Sequence, residues 1–435
     1  MKHDYLQVTN LKSRMIYDSR GVPTIEVDIV LDGQYFGRAS VPSGASIGDM
    51  EAIELRDNNP KLFHGKGVTI VLSNIDNVIY PKIINNKFES CEKLDQFLIN
   101  LDGTENKSKL GANAILAVSL AFAKAFAASS GLDFFASIEE KDNYIMPIPL
   151  MNLINGGAHA NNNLSIQEFM IMPIGFDSFS RGLQAGSEIF NSLKKILNHR
   201  KYSTAVGDEG GFAPDLTSDV AALELLTEAT IEAGYRPGHD IYFALDIAAN
   251  NFYQGEEYKL GKETLTSAQL IDYYNHLIKE FPIISIEDPF AENDIQAWKD
   301  FSKQCRNKIQ IVGDDLFVSN SKYLQQGIDW DIASAIIVKP NQIGTFTETL
   351  KTIRLARESC YGTILSHRSG ETEDTLIVHL AVGTGSEQIK VGSISRTDRV
   401  IKYNEILRIE EKLGDRASFY GRKILDKFSL GNKVG

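Results

Sequence analysis

Short apolar runs without polar alternation recur through the second half of the chain, and each ends at a polar residue. Ile241–Leu245 runs into Asp246, Ile283–Ile286 into Glu287, Ile309–Gly313 into Asp314 and Ala333–Val338 into Lys339. Gly362–Ser366 runs into His367, and Gln388–Ile389 into Lys390. The intervals between these polar residues are 41, 27, 25, 28 and 23. A span of about 25 residues is what one buried strand, its crossover helix and two short loops consume. Runs without alternation fit parallel strands buried on both faces. The pattern predicts an α/β fold built on a TIM-like β/α barrel, with the polar residues on its C-terminal rim.

The first 140 residues read differently. Val8–Ile16, Thr24–Val30 and Tyr35–Pro42 predict three strands, broken at Ser19-Arg20-Gly21 and Asp32-Gly33. In the second, Ile25, Val27 and Ile29 alternate with Glu26 and Asp28, as in a sheet with one solvated face. Helices are expected near 49–57, 68–80, 91–99 and 110–130. This gives an N-terminal α+β cap over 1–140, a three-stranded sheet plus helices, followed by a catalytic barrel domain over 141–435. Within the barrel, a further strand is expected at Ile166–Pro173, and helices at 179–198, 221–233 and 345–358.

Composition narrows the function. A chain of 435 residues, 43% hydrophobic, is long enough for one large domain and one smaller one. Its net charge of −12 argues against nucleic acid as the main partner, while a local cluster of cations can still receive an acidic substrate. Cys91, Cys305 and Cys360 are too scattered for a disulfide framework or a metal pair, which predicts a reducing, cytoplasmic location. The N-terminus has no apolar signal region, and no stretch approaches 18 uninterrupted apolar residues. Neither secretion by signal peptide nor a membrane span is expected, so any additional cell-surface or secreted pool would form without a signal peptide.

Asp246, Glu287 and Asp314 are hard oxygen ligands on successive strand ends and favour Mg²⁺ or Mn²⁺ over zinc. The doublets Glu287-Asp288 and Asp314-Asp315 leave open which member ligates. Lys339, partly desolvated at a strand end, is expected to have a lowered pKa and to serve as a base. His367-Arg368-Ser369-Gly370 together with Lys390 offers a phosphate or carboxylate site. Glu168, among apolar neighbours, has to face a polar cavity. Glu209 lies on a glycine-flanked turn at 207–211, and His159 on a polar loop after Gly156-Gly157. The small-residue loop 43–48 reads as a lid whose Ser43 and Ser46 offer hydroxyls to a metal or phosphate. These groups suit a metal-assisted lyase acting on a small substrate with two anionic groups.

The motifs also resemble a known family. Ser-Gly-Ala-Ser at 43–46, Asn-Gly-Gly-Ala-His at 155–159, Gln-Glu-Phe at 167–169 and Gly-Asp-Glu-Gly-Gly at 207–211 are similar to signatures of the enolases. So are Ile-Glu-Asp-Pro at 286–289, Gly-Asp-Asp at 313–315, Asn-Gln-Ile-Gly at 341–344 and Ser-His-Arg-Ser-Gly-Glu-Thr-Glu-Asp at 366–374. The match runs from about Tyr17 to Gly414. Ile47, Val378-His379 and residues 384–387 depart from the family pattern.

The resemblance implies reversible dehydration of 2-phosphoglycerate to phosphoenolpyruvate, with two Mg²⁺ per active site, the second recruited with substrate. By motif, Lys339 is the base and Glu209 the acid, with Glu168 and His367 supporting them near the leaving hydroxyl. Asp246, Glu287 and Asp314 hold the first Mg²⁺ and Ser46 helps hold the second. Arg368 and Ser369 bind phosphate, Lys390 the substrate carboxylate, and His159 belongs to a closing loop near the phosphate. Repulsion from Asp208 and Glu168 is expected to raise the proton affinity of Glu209. A homodimer is implied, with further assembly into a higher oligomer left open. Two other readings remain at this point: an enolase-fold enzyme with a changed substrate, and a protein with a surface or host-protein binding role.

Overall fold

Eight strands close into a barrel. They are β1 (Ile148–Asn155), β2 (Glu168–Pro173), β3 (Ile241–Asp246), β4 (Ile283–Glu287), β5 (Gln310–Gly313), β6 (Ala335–Val338), β7 (Gly362–Ser366) and β8 (Gln388–Lys390). The structure, a computed structural model, describes residues 5–44, 48 and 50–428. Every residue of the eight strands is buried, which explains their unbroken apolar character.

The expectation of parallel strands fails at one place. β2 pairs antiparallel with both β1 and β3, with Glu168 opposite Asn155 on one side and Asp246 on the other. All other neighbours are parallel. The connection 156–167 carries a single helical turn, Gly157–His159, and has no apolar face to lie along the barrel. The chain therefore turns back at the rim. As a result β2 delivers its first residue, Glu168, to the rim where β3 and β4 deliver their last.

The cap sheet has four antiparallel strands, in the order Tyr35–Ser40, Pro23–Leu31, Leu6–Tyr17, Lys87–Phe88. The last is two residues long, too short to show any periodicity in sequence. Beneath the sheet runs the helix Ala112–Ser130, which is apolar and long enough to cross a membrane by length and composition, and which is mostly buried here. Its alanines admit a close approach. A Cβ on Gly37 would lie 2.0 Å from the Ala121 carbonyl oxygen.

The helix expected over 49–57 is absent from residues 50–57. Their N–H groups find partners elsewhere: Ala52 donates to Gln342 O at 2.9 Å, Ile53 to Asn106 O at 2.8 Å and Leu55 to Asn113 Oδ1 at 3.2 Å. The helix expected at 68–80 appears as Thr69–Asn74, a π-helical turn Ile75–Ile79 and Tyr80–Ile83.

Cap and barrel meet at the rim. Ser43 and Gly370 exchange backbone hydrogen bonds of 2.8 and 2.9 Å, and Arg20 donates to Ser43 O at 3.1 Å. Away from the rim, Ser119 Oγ and Asp95 Oδ2 on cap helices each accept an N–H at 2.9 Å from Phe346 and Thr347. These bonds cap the barrel helix Phe346–Glu358 from outside its own segment.

Candidate active site

The rim encloses a cavity of about 30 Å³ whose lining includes His159, Glu168, Glu209, Asp246, Asp314, Lys339, His367, Arg368, Ser369 and Lys390. Nearly all the candidate residues thus converge. Ser46, with Ala45 and Ile47 of the expected lid, lies outside the described residues.

Lys390 Nζ, at the end of β8, donates to Asp246 Oδ2 at 2.9 Å and to Glu287 Oε1 and Oε2 at 2.9 and 2.8 Å; Glu168 Oε1 lies 3.2 Å away. Burial works against its charge, and the carboxylates overcome this and hold the ammonium well above its ordinary pKa. Burial and the Asp246 charge push Glu287 up to about 8.

Each acidic doublet divides its tasks. Glu287 turns inward to Lys390, while Asp288 accepts the backbone N–H groups of Asp314 and Asp315 at 2.8 and 2.9 Å and so fixes that turn. Asp314 pairs with Lys339 Nζ and accepts from Gln342 at 3.2 Å, while Asp315 accepts from Asn250 at 3.0 Å. Asp246 and Glu287 already converge on one cationic atom, and Asp314 follows on the next strand. Three buried carboxylates without a thiol fit a hard divalent ion such as Mg²⁺. Asp288, Asp314 and Asp315 also bring oxygens within 4.8 Å of one another, but the two backbone bonds on Asp288 give it a structural task.

Lys339 departs from expectation. Burial, the largest influence, lowers its pKa as anticipated, but the carboxylates around it, Asp314 first and Glu287 with it, together leave the net shift upward. Glu209 departs as well. Burial favours its neutral form, yet His367 and His159 hold it well below the usual carboxylate range. Repulsion acts instead on Glu168, which burial and the charge of Glu209 raise well above that range. The two neighbouring carboxyls are thus pushed in opposite directions.

His367 is pushed down to about 4, first by burial. Arg399 contacts its Nδ1, leaving Nε2 as the nitrogen that carries hydrogen and lies 3.3 Å from Glu209 Oε2. His159 Nδ1 sits 3.6 Å from Glu168 and 3.8 Å from Glu209. It stands at the acid pair.

Two family models match, one described as the enolase N-terminal domain over residues 8–138 and one as the enolase C-terminal TIM barrel domain over 143–428. The curated enolase of Ehrlichia chaffeensis is 48% identical over 416 residues, covering 96% of this chain and 99% of that protein. The enolase of Ehrlichia ruminantium shows the same identity and coverage. This chain belongs to the enolase family. It is accordingly a hydro-lyase, a phosphopyruvate hydratase of glycolysis.

Several residues of this enolase-family site escaped the sequence reading. Gln167 donates to Asp246 Oδ2 at 3.2 Å, and Asn152 to Glu209 Oε2 at 3.3 Å. Arg399, fully buried, donates to the carbonyls of Arg368 and Ser369 at 2.6 Å each and fixes their turn. Gln167 adjoins Glu168 in a quoted motif and could have been found there. Arg399 lies in an ordinary helical stretch, where nothing local marks it.

Proposed function

We propose that this chain interconverts 2-phospho-D-glycerate with phosphoenolpyruvate and water, using Mg²⁺ held by Asp246, Glu287 and Asp314, and a second Mg²⁺ recruited with substrate at Ser46. The observation that carries the reading is positional. Lys339 follows β6, Glu168 begins β2, and these strands are four apart in a closed ring of eight, so base and acid groups face each other across the mouth.

That placement suits elimination across one carbon–carbon bond. Lys339 removes the C2 proton and the electron pair passes into the substrate carboxylate. Lys390 binds that carboxylate, and Arg368 with Ser369 holds the phosphate. When bound, Mg²⁺ supplies positive charge that stabilises the carboxylate as its negative charge grows. Glu209 then protonates the C3 hydroxyl, which leaves as water while the electron pair returns from the carboxylate to form the C2–C3 double bond. Glu209 must first gain a proton, and Glu168 beside it is the carboxyl pushed toward its protonated form. Lys339 must first lose one, which burial favours once Asp314 is drawn away from the ammonium.

The test follows phosphoenolpyruvate by its ultraviolet absorbance, with and without Mg²⁺, alongside Lys339→Ala. Activity that needs the metal and falls by about 10³-fold or more in the variant is expected. Silence from folded, metal-loaded parent protein would redirect the reading to a changed substrate. We also place the reaction in the cytoplasm, where three free cysteines are stable, and in a homodimer that sedimentation would reveal.

A further inference from the structure

Glu51 belongs to the cap, yet its carboxylate reaches the barrel rim, where it is 7% exposed. Oε2 accepts from Arg368 Nη1 at 3.0 Å and Oε1 from Arg368 Nη2 at 3.3 Å. Oε1 also accepts the Gly48 N–H at 3.1 Å and Gln342 Nε2 at 3.2 Å. The same Gln342 nitrogen donates to Asp314 Oδ1 at 3.2 Å, while Gln342 Oε1 accepts from Ser319 Oγ. Ser319 Oγ in turn accepts the Lys339 N–H at 2.7 Å. A continuous chain of hydrogen bonds thus joins Arg368, through Glu51 and Gln342, to Asp314 and to the backbone of Lys339.

We propose that Glu51 is a positioning residue that orients the Arg368 guanidinium and, as its buried counter-ion, sets how tightly the site holds the substrate's phosphate. The inference rests on Arg368 being the phosphate-binding group, as argued above. A fork of two bonds fixes the plane of a guanidinium as well as its place. A buried guanidinium without a counter-charge is costly, and Glu51 removes that cost. The same charge compensates the arginine when a phosphate arrives, so the anion is held less tightly than a bare guanidinium would hold it. Moderate binding of the ground state favours turnover, because tightness shared by substrate and product adds nothing to the chemical step. Gln342 locks the carboxylate and ties the phosphate end of the site to the Asp314 and Lys339 end.

The test uses the full chain with inorganic phosphate as probe, measured by calorimetry, together with steady-state kinetics on 2-phosphoglycerate. In Glu51→Gln the shape is kept and the charge removed. Phosphate should then bind about tenfold more tightly, the low end of what a charge-assisted hydrogen bond is worth. KM should fall with it while kcat does not rise. A merely structural role would raise KM instead. Unchanged or weaker phosphate binding in folded Glu51→Gln overturns the proposal. Should that variant fail to fold, Glu51→Asp draws the carboxylate back from Arg368 and carries the same expectation at smaller size. Arg368→Gln separates the two layers: it should abolish phosphate binding, and if it binds phosphate as the parent does, the reading of Arg368 itself falls and takes this one with it.

Discussion

Glu209 Oε2 lies 3.3 Å from His367 Nε2 and accepts from Asn152 at the same distance, while His159 stands between it and Glu168. Lys339 pairs instead with Asp314, so proton removal at C2 and loss of the C3 hydroxyl are served by separate residues. Glu209→Gln should therefore lower phosphoenolpyruvate formation by about 10²- to 10⁴-fold. It should leave exchange of the C2 hydrogen with deuterated water running, as NMR of recovered substrate would show. Loss of both processes together would mean that Glu209 serves the base. Asp246, Glu287, Asp314, Lys339, His367 and Lys390 could be read in the sequence because each follows a short apolar run, and Glu168, Glu209 and His159 through the motifs around them. Their proton affinities could not. Lys339 is set by Asp314, 25 positions away, and Arg368 by Glu51, 317 positions away.

Among the contacts between cap and barrel is one buried carboxyl. Asp95 caps the barrel helix Phe346–Glu358 through Thr347, and burial raises it from 3.8 to about 6. A carboxyl whose folded pKa is raised contributes stability that is full below 3.8 and is lost as pH rises through about 6. Asp95→Asn keeps an acceptor for Thr347 and has no charge to bury. It should stabilise the fold at pH 7.5 by up to about 3 kcal/mol, two pKa units at about 1.4 kcal/mol each, and change little at pH 3.5. Thermal unfolding at the two pH values checks this. Among the elements, strands with unbroken apolar runs and helices with apolar stripes declared themselves. Residues 50–57 did not, because Glu-Ala-Ile-Glu-Leu-Arg suits a helix locally and is held extended by Gln342, Asn106 and Asn113.

At the scale of the whole molecule, the site draws on the cap and on the rim of the barrel, so what binds there bears on the stability of the whole. A ligand bound by the folded state alone adds about 2.7 kcal/mol at a hundredfold excess over its dissociation constant. Mg²⁺ should raise the unfolding temperature accordingly, chelation should reverse the rise, and Asp246→Asn should abolish most of it. A metal-induced shift equal in parent and variant would place the ion elsewhere. The reversed strand β2 has a different kind of consequence. Its last residue, Pro173, lies opposite Ile241, the first residue of β3, at the end of the barrel remote from the rim. Counting repeats would assign the turn after β2 to the chemistry, yet exposed Asp177 in that turn is a place to graft a tag or a foreign domain. The polar loop before β2, equally inviting by composition, holds His159 and would not survive the same surgery.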